Sequence, residues 1–412
     1  MRFHERLLRR LPQWTAEQTG QRVAQALRRR GVADARYDAE DFAVRGAGTT
    51  YFLGNAHLEI NSTWPWRRAA VLERLLDLGS SRAATVSLDW AQVRGRIVPS
   101  IRDRFFVQSI RYYDELEGRE PRPVPHRRLT DRLCVTLAVD LADCVVLIDG
   151  ERLERWQVAF DEAYEEALRN LEQRTRSGFE PLVAGRVYQS PWQDGNAAAR
   201  LLLEEPLRQL ELRGGPVFVA PSRDRLFVTG TDDDDGLASL LRLIADEAPF
   251  RHPLSRIPIV RRWPEFESMT LPARHPLRPL LQRQALRDWG EIYRNQADLL
   301  AVLQRRRGDP AVLGDFLLFE PQSPVGAPSS FTTWPIDCEC LLPRVERIAL
   351  VDPRNPPERE LLGMVEWSAA DRVLGLEASR CDEYPPRHRA RAGTASIVEQ
   401  LLAPRGGPAA AG

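Results

Sequence analysis

The sequence predicts an α+β protein in which strand-strand-helix units form a helix-covered sheet, followed by a long helix and a second, mostly β region. Three observations carry this. In the middle third, two nearly continuous apolar runs joined by a short polar turn precede a helical apolar period, and the pattern occurs twice. Beyond Pro272, the residues Leu286, Trp289, Tyr293, Gln296, Leu300 and Leu303 follow the three-four spacing of one amphipathic helix. After that helix, short apolar runs alternate with proline-rich turns.

Taken in order, Thr15 with Gln18 three residues on forms a capping-box pattern, and Arg28-Arg29-Arg30-Gly31 supplies cations and a glycine for the helix end. Two apolar runs between Asp41 and Leu53 flank Gly46-Ala47-Gly48 and predict a hairpin. A dinucleotide fingerprint fails there, because Tyr51 stands where a third glycine is needed. Pro65 opens a helix expected to end at Gly79. Arg96 to Pro99 form an apolar segment leading into Phe105-Phe106-Val107, and residues 118–128, with Pro121, Pro123 and Pro125, predict a linker.

The first repeat pairs Leu133 to Asp140 with Cys144 to Ile148 and continues in a helix through Trp156, Phe160, Tyr164 and Leu171. The second pairs Val217 to Ala220 with Leu226 to Thr229 across Pro221-Ser222-Arg223-Asp224, then a helix from Gly236 to about Ala248. A helix over 197–212 separates the units. Asp315 to Phe319, Ser330 to Ile336, Ile348 to Val351 and Leu362 to Trp367 are the expected later strands. The expected division is a helical segment 1–40, an α+β part with its linker 41–128, a core 129–265, a helix-plus-β region 266–405 and a frayed tail 406–412.

Composition excludes more than it assigns. All 58 basic side chains are arginine, so no side-chain Schiff base and no P-loop lysine exist. The arginines are spread over helix ends and balanced by 58 acids, which points to codon bias in a GC-rich genome and not to a nucleic-acid footprint. The charged opening Met1-Arg2-Phe3-His4 and the lack of any apolar run of ~18 residues give the expectation of a cytoplasmic protein without a membrane span. Five cysteines imply reduced thiols; Cys338-Glu339-Cys340 lacks a second ligand pair for zinc and is expected in a strand pair.

Residues 130–264 resemble the YtpQ-like family of bacterial proteins, a catalogued domain of unknown function. The resemblance rests on the strand pair ending in Asp149, Leu153-Glu154-Arg155-Trp156, Asp161-Glu162-Ala163, Asn170-Leu171, Asp194-Gly195 with Arg200-Leu201-Leu202, and Val219 to Leu226. Related wording extends from Phe52-Leu53-Gly54-Asn55 to Pro385-Pro386-Arg387. The chain departs from the family at Asn196-Ala197-Ala198-Ala199, where an aromatic and a second acid are expected. The resemblance implies a bacterial intracellular protein with a shared fold, and no reaction.

Two constellations are candidate sites. Arg102-Asp103-Arg104 and Arg223-Asp224-Arg225 each set an acid between arginines, whose planar forks suit bidentate capture of carboxylate or phosphate. Arg200 and Asp194 join Arg223 and Asp224 in one anion pocket if their helix starts near the hairpin tip, while an internal ion-pair network is the plainer use of the same residues. The run Asp232-Asp233-Asp234-Asp235 fits a helix cap, with a magnesium or manganese site at Asp232, Asp233 and Asp235 as the other use. No cofactor beyond such a divalent ion is expected. The six histidines show no metal spacing, and no nucleophile elbow is present. The reading is a non-catalytic binding or adaptor protein, with a metal-assisted hydrolase of an anionic substrate as the alternative. An unknown protein partner is left open, neither nucleic acid nor membrane is expected, and the chain is a monomer or a dimer through the 286–303 seam.

Overall fold

The computed structural model describes residues 12–403, apart from 40–41, 47–48, 62, 85–88, 142–144, 184, 247–251, 263–264 and 322–326. The charged N-terminus, the Ala47-Gly48 turn, Cys144 and the 406–412 tail lie outside the described residues. Helix and strand elements together bear out the α+β class.

Helix α1 (Ala16–Arg29) begins as its sequence dictates: Gln18 N donates to Thr15 Oγ1 and Thr15 N donates to Gln18 Oε1, both at 3.1 Å. It buries Val23, Ala24 and Leu27 against strands β1 (Arg36–Asp38), β2 (Ala43–Gly46) and β3 (Thr49–Phe52), in a cluster that α2 (Gly54–Asn61) and α3 (Arg68–Ala84) complete through Ile60, Leu72 and Leu76. Gly20 is required at this contact, since a Cβ there would sit 2.1 Å from the Tyr37 ring. Helix α3 runs past Gly79, a helix-interior glycine costing only ~1 kcal/mol.

The expected boundary at 128 cuts through a sheet. Strand β4 (Ile97–Asp103) pairs antiparallel with β6 (Leu133–Asp140) along its whole length, from Ile97↔Val139 to Asp103↔Leu133, with β5 (Arg127–Arg128) and β7 (Val145–Leu147) on the same sheet. Helix α4 (Arg104–Leu116) follows β4 directly. The supposed linker is a strap. Asp114 accepts from Arg119 and Arg122, and Pro123 O accepts from Gly150 N at 2.8 Å, where a Cβ would meet Pro123 Cγ at 2.8 Å.

The helix predicted through Trp156 divides at Gln157, φ +56°, into α5 (Gly150–Trp156) and α6 (Phe160–Arg174). The second repeat lies in a six-stranded antiparallel sheet of β8 (Glu180–Val183), β9 (Val187–Gln189), β10 (Pro216–Ser222), β11 (Arg225–Gly230), β12 (Pro253–Arg262) and β13 (Glu265–Ser268), ordered β13-β12-β10-β11-β9-β8. The helix expected over 197–212 is instead a 3₁₀ segment, Ala197–Leu202, and one turn, Glu205–Arg208. Leu203 is extended between them and Pro206 lacks the N–H a continuous helix would use there. Helix α7 (Asp234–Asp246) closes this repeat. Val135, Leu137 and Val139 of one sheet and Phe218, Ala220 and Val228 of the other share one core with Ala167, Leu171 and Ala199. At roughly 1.5–3 kcal/mol per buried aliphatic side chain, this cluster dominates the fold and explains why its strands are the most legible in the sequence.

Helix α8 (Arg278–Arg307) ends at Gly308, φ +66°. The remaining strands are β14 (Val312–Leu313), β15 (Leu317–Phe319), β16 (Ser329–Pro335), β17 (Cys340–Pro343), β18 (Arg347–Val351), β19 (Leu361–Glu366) and β20 (Arg387–Ala390). They form a β14-β17-β20 sheet and a β15-β16-β18-β19 sheet, whose inner side packs on α9 (Trp367–Leu374) and α10 (Ala395–Leu402). The α8 seam is consumed within the chain: Leu300 and Leu303 pack with Phe105 and Tyr112 of α4 and with Leu341 and Tyr384, and Tyr293 and Gln296 are buried. The buried part of this seam is thus an intrachain packing face, with Leu286 and Trp289 partly exposed along it. Among the described residues no helix is long and apolar enough to cross a membrane.

Candidate anion site at the hairpin tip

The β10–β11 turn carries Arg223 and Asp224. Ala198 N donates to Arg223 O at 3.0 Å, so the 3₁₀ segment starts against the hairpin tip, as the pocket idea requires. Gly195, φ +75°, brings Asp194 to the same place; a Cβ on it would lie 3.8 Å from Asp224 Oδ1. Asp194, Gly195, Arg200, Arg223 and Asp224 are therefore one cluster, assembled from segments about 25 residues apart in sequence.

Within it the Arg200 fork is already filled. Nη1 donates to Asp194 Oδ1 and Nη2 to Oδ2, both at 2.7 Å, Nε donates to Thr175 Oγ1 at 3.2 Å, and the guanidinium lies 4.9 Å from the Trp192 ring centre. This arginine is fully buried. Burial pushes the Asp194 carboxyl up, but the bonds and charge of Arg200 and the Asn196 N–H outweigh it and hold it below the ordinary carboxylate range. The anion bound by Arg200 is thus the chain's own Asp194.

Arg102 lies on β4 with its guanidinium 4.5 Å over the Phe106 ring. Its neighbours serve joints. Asp103 Oδ1 caps α4 by accepting from Phe105 N at 2.7 Å, and Arg104 stacks 4.3 Å over the Tyr384 ring. The acidic run behaves as a cap. Asp233 Oδ1 accepts from Gly236 N at 3.0 Å and from Arg186 Nη1 at 2.6 Å, Asp235 also pairs with Arg186 at 3.0 Å, Asp234 meets His275 Nε2 at 3.2 Å, and Asp232 accepts from Thr231 Oγ1 at 3.0 Å. Among the described residues no three His, Cys, Asp or Glu side chains converge to hold a metal ion.

Two buried polar networks were not legible in the sequence. Arg132, 1% exposed, donates Nη2 to Asp103 Oδ2 at 2.6 Å and Nη1 to Asp288 O at 2.9 Å, and Asp288 Oδ2 accepts from Ser255 Oγ at 2.8 Å. Burial opposes its charge, but Asp103 and Asp288 outweigh that and hold its proton more firmly than usual. Arg387, 0% exposed, donates Nε to Gln296 Oε1 at 2.7 Å and Nη1 to the Gly314 and Leu341 carbonyls at 2.8 and 2.9 Å. Beside it, Tyr112 bonds Glu383, which also accepts from Gln108 Nε2 at 2.9 Å. These contacts join α4, α8 and the C-terminal strands into one body.

Apolar surface lies elsewhere. Pairing places Leu317 and Phe319 of β15, Phe331 of β16, Val351 of β18 and Met364 and Leu361 of β19 on the outward face of the second C-terminal sheet, together with the polar Ser329, Thr333, Arg347 and Glu366. Phe319, Met364 and Leu361 are 55, 48 and 59% exposed. The strap and α5 also border a shallow groove of about 400 Å³ lined by Pro123, Pro125, Leu153, Val158 and Phe160. Compared with known proteins, the chain matches no family model, no curated protein and no solved structure.

Proposed function

We propose that the chain is an intracellular, non-catalytic binding or adaptor protein of the YtpQ-like kind that engages a protein partner through the outward face of the β15-β16-β18-β19 sheet. The observation that carries this reading is the contrast between charged groups turned on one another and large apolar side chains turned outward: Arg200 is filled by Asp194, whereas Phe319, Met364 and Leu361 stand about half exposed on one sheet face. Large apolar side chains exposed on one sheet face mark partner surfaces more often than chemistry. The family assignment rests on the order of the motifs from Asp149 to Leu226.

The test is native mass spectrometry of the protein purified gently from its own host, beside a Phe319→Glu/Leu361→Glu variant of equal melting temperature. A stoichiometric protein mass on the wild type that the variant loses supports the reading. A wild type free of partner, or one carrying a stoichiometric small anion that the variant keeps, overturns it.

A further inference from the structure

Cys338 and Cys340 meet across the turn that enters β17. Their sulfurs are 3.8 Å apart, too far for a bond and close enough for thiol contact. The bend at Cys338 brings side chains two residues apart onto the same side, and forming a disulfide requires the 3.8 Å gap between their sulfurs to close by side-chain rotation and movement of the bend. The two thiols differ in access. Cys338 is half-buried, whereas Cys340 is fully buried in the same core cluster as Trp334 and Leu342, and burial pushes its thiol pKa up. An accessible thiol beside a protected one is the arrangement of an attacking and a resolving cysteine.

We propose that Cys338 and Cys340 form a redox-responsive dithiol that a small disulfide oxidises to an intrachain bond. The Cys338 thiolate attacks one sulfur of the oxidant, such as glutathione disulfide, forming a mixed disulfide and releasing one glutathione thiolate. Cys340 then attacks the Cys338 sulfur, its proton passing to the departing glutathione thiolate, and the second glutathione leaves as a thiol. Two protein thiols become one disulfide and one oxidant becomes two thiols, so electrons and protons balance.

The turn is wired to its surroundings. Cys340 is fixed in β17 between Val312 of β14 and Ala390 of β20, so closure moves the 336–339 side. Ile336 N donates to Val351 O at 2.9 Å and Ile336 O accepts from Gly393 N at 2.7 Å, which ties that side to β18 and to the lead into α10. Glu339 O accepts from Val312 N at 2.8 Å, and its carboxylate bonds Arg389, which also donates to Asp309 at 2.6 Å. The redox state is therefore sensed by both C-terminal sheets.

The experiment incubates the folded full-length protein with glutathione disulfide, alkylates it, cleaves after arginine and weighs the peptide 308–344, which contains Cys338 and Cys340 and no other cysteine. The expected product is lighter by two hydrogens, carries no glutathione and is restored by dithiothreitol. Cys340→Ser is expected to stop at the glutathione adduct on Cys338, and Cys338→Ser to leave Cys340 unmodified. The wild-type mass alone decides the matter if a variant fails to fold. A wild type that stops at the adduct, or that is modified at Cys134 or Cys381 while both thiols of this pair stay free, overturns the proposal.

Discussion

The buried arginines at the two stretches of α8 solve the same problem in opposite ways. Arg132 is met by two carboxylates, Asp103 and Asp288, whereas Arg387 is met by neutral oxygens alone at its closest contacts: Gln296 Oε1 and the Gly314 and Leu341 carbonyls. The consequence shows in their protons. Carboxylates hold the Arg132 charge more firmly than in water, while burial works against the Arg387 charge and lowers its pKa. The first joint is a matched set of charges that fails when one member goes; the second is a set of dipoles around a cation, which tolerates loss of the charge better than loss of the shape.

The sharpest way to break this contrast is to remove each cation. Arg132→Met leaves two buried carboxylates facing each other and is expected to cost about 3–5 kcal/mol near neutral pH. Burial already raises the Asp103 carboxyl and the loss of Arg132 removes what opposes it, so Asp103 protonates in the folded state first and the cost recedes as pH falls toward the carboxylate range. Arg387→Met strands only neutral acceptors and is expected to cost about 1–3 kcal/mol with no such pH dependence. Urea unfolding of both variants near neutral and near acid pH checks this; equal, pH-independent costs would falsify the distinction.

A smaller effect tests whether acids elsewhere work as caps or as ligands. Asp233→Ala removes the α7 cap and the Arg186 contact, and a loss of about 1 kcal/mol in thermal or urea unfolding is expected, unchanged by added magnesium or manganese. A metal-dependent stabilisation of the wild type that the variant lacks would restore the metal site. The smallest effect concerns Asp194, 39% exposed in its side chain, whose carboxyl is depressed by Arg200. A depressed folded value means the pair stabilises above the ordinary carboxylate pKa and is lost as pH falls through the folded value. In Asp194→Asn that low-pH component of the unfolding curve disappears, and a slope identical to the wild type would show that the pair contributes nothing.

What the sequence made legible follows from range. β6 appears in its expected place, Leu133–Asp140, because seven of its eight residues are buried and local composition alone carries that signal. The capping box, the Gly308 helix end and the hairpin around Arg223 are likewise local. The cluster of Asp194 with Arg200 was anticipated, but its use was not, since spacing reveals proximity and not which partner fills a fork. Asp103, Ser255 and Asp288 lie on three separate elements and Arg132 on the bend before β6, and no linear pattern links them. The strap over 118–128 was misread as a spacer because prolines report stiffness and leave unsaid what the chain leans on.

The Glu383 contacts place one further demand on the chain. Gln108 and Tyr112 wait for an acceptor 275 and 271 residues later, and Gln296 waits for the Arg387 side chain 91 residues on. A polypeptide leaving the ribosome at roughly 5–20 residues per second exposes α4 and α8 with these polar groups unanswered until nearly the last strand emerges. These closures have high sequence separation, which slows folding in general, and a chain that lacks residue 383 onward cannot make the Glu383 contacts to α4 or the Arg387 contact to α8.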